Sequence, residues 1–338
     1  MTYNPIQNTR HARNAKSILA GAVATGMLAL SATPSLAVEG GTGAYLLGSR
    51  DSFAGIVPPP GTYFSSDLVH LDGEVGFLAL GGKPFVDVST GAYVLKLNLT
   101  HSFDARLWGG QPAITVTLPM ATGDLDLGGE LGSGLSGDLT DSNSGFSDII
   151  ITPLVGWSNG NQHWSLGASI FLPTGKYDTA TVDVATRSVN ALSFGKNRAA
   201  IDPVVAYTYL NPKTGIEFSA AGGVTFSAKN DATDYQTAPE AHLELTAMQH
   251  LPSKVAVGLT GYAYHQIGDD SGSGADSIKL ATGQDSLQAQ TYGLGPIITY
   301  STKIGDTAVS FKAKYIHEFD AKKRFESDVV WLNMSISF

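Results

Sequence analysis

Few residues of this chain stand at spacings that do chemistry. His242 and Glu244 are two apart, and His250 shares their face if the segment is extended, because strand side chains repeat every second residue. Imidazole and carboxylate are metal-ligand types, yet no third close ligand is spaced to complete a site. Gly132-Ser133-Gly134-Leu135-Ser136-Gly137 has the spacing of a dinucleotide loop. That motif works between a strand and a helix, and here it stands in a Gly/Asp/Ser run with neither. Asp269-Asp270-Ser271-Gly272 opens like a calcium loop, but its twelfth position is Leu280, where a bidentate Glu belongs. No H-E-x-x-H occurs, and no G-x-S-x-G is expected. His317 falls on an apolar face with Val309, Phe311, Ala313 and Tyr315, and no serine partner is identifiable. No catalytic residue, metal or cofactor is expected.

A second set of polar residues is less motif-like and more regular. Lys96, Asp148, Asp202, Glu217, His242, Glu244, Lys312 and Lys314 each fall on the polar face of an alternating segment, with Tyr262, Tyr264 and Gln266 as further candidates. Their chemistry would be pairing or ion and solute selection inside a closed wall. Which of the two applies depends on the elements that carry them.

Those elements are strands with two unlike faces. In 93–100, Tyr93, Leu95, Leu97 and Leu99 share one face, and Lys96, Asn98 and Thr100 the other. In the last segment Val330, Leu332, Met334, Ile336 and Phe338 oppose Asn333, Ser335 and Ser337. About twelve such segments recur, near 62–71, 91–101, 112–120, 146–157, 163–173, 199–210, 215–226, 239–250, 254–266, 287–300, 307–318 and 325–338. Short turns follow at 158–162, 211–214, 251–253 and 303–306. Long polar loops lie near 121–145, 174–198, 227–238 and 267–286. The 102–111 connection is longer, and 319–324 shorter, than this rule prefers. Short turns alternating with long loops predict an all-β fold, a transmembrane antiparallel up-and-down barrel of about twelve strands over 62–338. Closure is required in lipid, where an open sheet edge leaves backbone groups unpaired at several kcal/mol each. An even strand number puts both chain ends on the short-turn, periplasmic side.

Independent features agree. Trp157, Trp164, Tyr209 and Tyr300 flank the expected turns, as amphipathic rings at a membrane interface do. The chain ends on Phe338 at the tip of an alternating strand, the pattern read by the outer-membrane assembly machinery. Residues 1–37 read as a secretory signal: Arg10, Arg13 and Lys16, an apolar run over 18–30, then Ser35-Leu36-Ala37. That run is short of the ~20 residues a membrane helix needs. Cleavage after Ala37 removes three bases and no acid, so the formal charge moves from −9 to −12. An acidic chain argues against nucleic acid as a partner. Lipid and lipopolysaccharide of a Gram-negative outer membrane are the expected surroundings. Cysteine is absent, which excludes disulfides, thiol nucleophiles and cysteine-ligated metals.

Longer strings carry a family resemblance. These are Gly55-Ile56-Val57-Pro58-Pro59-Pro60-Gly61-Thr62-Tyr63, Pro173-Thr174-Gly175-Lys176-Tyr177, Tyr264-His265-Gln266-Ile267-Gly268-Asp269-Asp270-Ser271-Gly272-Ser273-Gly274-Ala275 and Gly293-Leu294-Gly295-Pro296. With Glu39-Gly40-Gly41-Thr42 and Glu318-Phe319, the chain resembles the MetA-pathway of phenol degradation family along nearly its whole length. The resemblance implies an outer-membrane barrel for passive uptake of small hydrophobic or aromatic compounds, and no binding residues. An outer-membrane enzyme, marked by a lipid-facing Ser–His pair, or a closed structural or adhesive barrel are the alternatives. A more distant resemblance, to long-chain fatty-acid transporters, implies that the Gly/Pro-rich segment 38–61 plugs the lumen. The competing reading of that segment is a periplasmic leader.

Overall fold

The computed structural model describes residue 39 and residues 41–80, 83–130, 136–183 and 188–338. Residues 1–37, expected to be a signal segment, and most of the 132–137 glycine run lie outside the described residues. The elements in order are β1 (Gly61–Leu80), β2 (Lys83–Ser102), β3 (Gln111–Glu130), β4 (Ser136–Phe146), β5 (Ile149–Asn159), β6 (Gln162–Leu172), β7 (Thr181–Asp183), β8 (Ser188–Asn190), β9 (Ala200–Asn211), β10 (Ile216–Ser227), β11 (Glu240–His250), β12 (Val255–Gln266), α1 (Ser273–Thr282), β13 (Gln290–Ile304), β14 (Thr307–Lys322) and β15 (Glu326–Ser337).

The sheet closes because β1 pairs antiparallel with β2 on one side and with β15 on the other. β5 pairs with the first part of β3, from Gln111↔Gly156 to Thr117↔Ile150. β4 pairs with the rest, from Met120↔Phe146 onward, so β4 and β5 form one broken crossing. The barrel therefore has twelve crossings: β1, β2, β3, β4/β5, β6 and β9 to β15. Connections at one end are short (160–161, 212–215, 251–254, 305–306), with 103–110 longer. At the other end lie 173–199, 228–239 and 267–289, with 323–325 short. These are called the turn end and the loop end below.

Alternation sorts residues to the two faces. Val204 is 2% exposed and its neighbour Val205 is 61% exposed. Leu166, Phe218, Leu245, Leu259, Leu294 and Leu332 point outward and are exposed. Bare in water, this belt would be a large uncovered apolar surface; lipid tails cover it at no such cost.

One loop assignment needs correction. Residues 121–130 and 136–145 belong not to a loop but to β3 and β4, and β1 and β2 likewise run on beyond the expected 62–71 and 91–101. These stretches escape the strand reading because the pattern inverts there. Asp72, Glu74, Asp124 and Asp126 stand on the outer face, where Leu68 and Tyr93 stand lower down. Val75, Val88, Leu125, Leu127, Leu139 and Phe325 pack inside as one cluster. A strand that rises out of the bilayer faces water outside, so its apolar face turns inward. The 174–198 loop also contains the small β7–β8 hairpin, and the 267–286 loop contains α1. Helix α1 ends at Gly283, whose φ of 64° is the left-handed conformation that closes many helices.

Candidate functional site: an occupied lumen

The inward polar side chains meet the segment that precedes β1. Residue 39 and residues 41–57 run through the barrel interior from the loop end to the turn end. At the loop end, Arg198 Nη1 lies 2.6 Å from Glu39 Oε2, and Asn230 donates to the same carboxylate. Lys196 Nζ donates to the carbonyl and hydroxyl of Thr42, each at 2.8 Å. Midway, Glu244 accepts the Tyr45 hydroxyl and the backbone N–H groups of Gly48 and Arg50. The Tyr45 ring stacks on His242, with centroids 4.0 Å apart. Burial and the Glu244 carboxylate raise the Tyr45 pKa well above the ordinary phenol value, so its hydroxyl stays a donor.

Asp51 carries the next contact. Lys312 and Lys314 each place an ammonium 2.7 Å from its carboxylate, and Lys314 also donates to the Gly48 carbonyl. Burial alone would raise the Asp51 pKa; the two ammonium groups outweigh it and hold it below the ordinary value. Near the turn end Glu217 accepts Ser52 Oγ at 3.0 Å and Phe53 N at 2.7 Å, and contacts His250 at 2.6 Å. Gly55 N then donates to Thr208 Oγ1. A Cβ on Gly55 would lie 2.6 Å from the Thr208 nitrogen and 2.7 Å from the His163 carbonyl, so only glycine passes this close to the wall. The chain leaves by Pro58, whose carbonyl accepts Ser102 Oγ, and turns into β1.

Each named lumen candidate has a place in this arrangement. Lys96 donates to Ser49 Oγ at 3.1 Å. Glu217, His242, Glu244, Lys312 and Lys314 contact the segment as described. Asp202 does not; it lies 3.0 Å from His242 and accepts Thr225, bracing β9 to β11. Asp148 stands between β4 and β5 and accepts the N–H groups of Gly175 and Lys196, tying down the 173–199 loop. Tyr262 and Tyr264 point inward, donating to Glu318 and Glu240. Gln266 donates to Asp270.

Several participants were not singled out from sequence. Glu240 and Glu318 continue the polar faces of His242/Glu244 and Lys312/Lys314, so period two already contained them. Trp331 likewise continues the Asn333/Ser335 face; it is 2% exposed, with the Lys314 ammonium 4.4 Å from its ring centre. Arg198 lies in a loop and had no periodic signal.

The interior is not filled. A cavity of about 730 Å³ remains between residues 39–50 and the wall of β1 to β6. Leu71, Val94, Leu125, Ile150 and Phe171 supply apolar wall, and Thr117, Thr152 and Ser169 hydroxyls. Tyr177, Phe194 and Ile278 reach it from the loop end. This size suits a small organic molecule.

On the outer face, Trp157 and Trp164 are register partners, and Gln162 pairs with Tyr209. Trp157 Nε1 donates to the carbonyl of Trp108, itself 76% exposed in the 103–110 turn. Tyr300 is exposed on the same outer face. Phe338 N donates to Thr62 O, so the last residue is joined to β1. His317 is exposed, and its partner is Asp328 at 2.8 Å.

Against the expectation from sequence, one G-x-S-x-G does occur. Gly156-Trp157-Ser158-Asn159-Gly160 matches G-x-S-x-G, and Ser158 Oγ lies 2.7 Å from His163 Nδ1. A nucleophile elbow requires a strand-to-helix turn; here the match runs off β5 into a hairpin. No carboxylate joins the other ring nitrogen of His163 among the described residues, and the pair sits on the face of Ser165 and Ser169, away from lipid. Among the described residues no group of three or more ligands could hold a metal ion.

Residues 78–334 match the model of the family described as "Putative MetA-pathway of phenol degradation". Comparison with curated proteins gave no match. Among solved structures, an outer membrane channel from Pseudomonas putida F1 is similar with a TM-score of 0.61 at 14% identity, over 83% of this chain and 97% of that one. This likeness supports the fold. The translocator domain of the autotransporter NalP from Neisseria meningitidis gives 0.43 at 12% identity, over 85% and 92%. A Pseudomonas aeruginosa FadL homologue gives 0.39 at 8%, over 82% and 89%.

Proposed function

Because the chain belongs to the MetA-pathway of phenol degradation family, we propose that it is an outer-membrane channel for passive entry of small hydrophobic or aromatic compounds. The observation that carries this reading is the 730 Å³ cavity beside an internal segment, enclosed by an apolar-jacketed barrel. Residues 1–37 would export the chain, and Phe338 would mark it for barrel assembly. The turn end would face the periplasm and the loop end the lipopolysaccharide. Residues 38–61 act as a plug in this reading: they narrow the lumen to one side and leave the route along β1 to β6. No energy source is needed, since the compound moves down its gradient.

The test is initial uptake of labelled toluene, phenol and a long-chain fatty acid by cells with and without the protein, at concentrations where the outer membrane limits the rate. Faster uptake of one compound establishes the channel and its substrate class. Equal uptake, with folded barrel in the outer membrane, rejects it.

A further inference from the structure

Among the described residues the cavity is lined by five cationic side chains: Arg50, Lys96, Lys196, Arg198 and Arg324. Two are spent on carboxylates, Arg198 on Glu39 and Arg324 on Glu318. Lys196 is held by Thr42, at the loop end. Lys96 and Arg50 are different. Among the described residues no carboxylate lies within 4 Å of either charge. Lys96 has one hydroxyl partner, Ser49, and the Trp331 ring 5.3 Å away. The Arg50 guanidinium has no hydrogen-bond partner there; only its backbone N–H is bonded, to Glu244.

The carboxylates near the cavity are already engaged. Glu39 and Glu318 have their arginines, and Asp148 takes two backbone N–H groups. Asp67, the register partner of Lys96 and the acid that attracts it most, accepts the amides of Asn98 and Asn333, and Glu244 accepts Tyr45 and the Gly48 and Arg50 N–H groups. The Ser49–Lys96 bond brings residues 49–50 of the segment against β2, so Arg50 meets the cavity from the segment and Lys96 from the wall. Leu71, Val94, Leu125 and Phe171 supply the apolar wall beside them. A half-buried cation with no carboxylate in contact is poorly solvated, and a ligand that brings its own anion relieves that cost while its apolar body covers the apolar wall.

We propose that the cavity binds a monoanionic amphiphile, an aromatic or aryl-alkyl carboxylate, with its carboxylate between Lys96 and Arg50 and its ring on the β1–β6 wall. This rests on the channel reading above and narrows it from hydrophobic compounds in general to organic acids. Lys196, the other cavity cation without a carboxylate, stands at the loop-end mouth as the first contact for such an acid.

The test uses full-length protein in lipid nanodiscs, with empty nanodiscs as reference. Titration calorimetry gives the Kd of 3-phenylpropionate and of its neutral counterpart 3-phenylpropanol. The readout is the ratio of the two affinities. The expected ratio is at least about tenfold in favour of the acid, the effect of one charge-assisted contact. In Lys96→Met and in Arg50→Gln it falls toward one, and Lys96→Arg restores it. The acid should also change the emission of Trp331, the tryptophan beside Lys96. Heat-modified mobility confirms that each variant is folded. Equal affinities in the native protein, or a ratio unmoved by both substitutions, overturn the proposal. Binding of the alcohol with no preference for the acid overturns this inference alone; binding of neither overturns the channel reading with it.

Discussion

The Lys314 ammonium lies 2.7 Å from the Asp51 carboxylate, although 263 positions separate them in the chain. Lys312 holds the same carboxylate from the same strand face. One acid inside the barrel thus holds two wall charges, and the internal segment is fastened where its removal leaves two ammonium groups without their contacting carboxylate. Removing one partner of a buried pair costs roughly 3–5 kcal/mol, less where water can enter. Asp51→Ala is expected to loosen residues 41–57 and to raise single-channel conductance in planar bilayers. Unchanged conductance and unchanged protease resistance would show that Asp51 does not fasten the segment.

Gly55 offers a steric version of the same experiment. Gly55→Val places carbon where the Thr208 nitrogen and His163 carbonyl already stand. The turn-end part of the segment is expected to leave the wall while the barrel still assembles. Hydrogen exchange should then rise at 52–57 and stay low in β9 and β10. Full protection of 52–57 in the variant would count against the close passage.

The segment's course is testable from outside the cell. Thr42 lies at the loop end and is exposed, and Arg106 lies in the 103–110 turn at the opposite end. The chain has no cysteine. In intact cells, Thr42→Cys is expected to react with a membrane-impermeant maleimide and Arg106→Cys only after lysis. The reverse labelling would invert the orientation.

Asp270 gives the loop end a pH dependence. Burial pushes its pKa up to about 6, against the hydrogen bonds from Tyr235, Ala238 and Gln266. The folded state therefore holds its proton more tightly than the unfolded chain. The contribution to stability is full below the unfolded value, declines as pH rises toward about 6, and is gone above it. Amide protection in 267–289 should be higher at pH 4 than at pH 7, and Asp270→Asn should flatten that difference. An equal pH response in the variant would assign it to another group.

Assembly and lumen chemistry should separate. Removing Phe338 takes away the N–H that joins Thr62 and the terminal apolar ring, and insertion is expected to fail. Lys312→Ala should insert normally, since Lys314 keeps its contact with Asp51. Fractionation of outer membranes distinguishes the two; normal insertion without Phe338 would refute the assembly role.

Alternation of apolar and polar side chains is a local property, and it was enough to read the barrel, its twelve crossings and the inward side of Lys96, Glu244 or Lys314. It also held Glu240, Glu318 and Trp331, whose faces needed only to be followed two residues further. What alternation lacks is a sign. Leu95 and Leu125 both alternate with polar neighbours, yet the first belongs to the lipid-facing pattern and the second packs inward beside Val88 and Phe325. The solvent outside each strand section decides that, and the solvent is set by height along the barrel. The partners of the inward charges were likewise out of reach. Asp51 sits in an irregular stretch with no period, and it meets Lys312 and Lys314 only because the closed wall brings β14 around to a segment that threads it. The sequence determines which side chains share a face; height along the barrel decides which face lines the interior, and closure of the sheet decides what fills it.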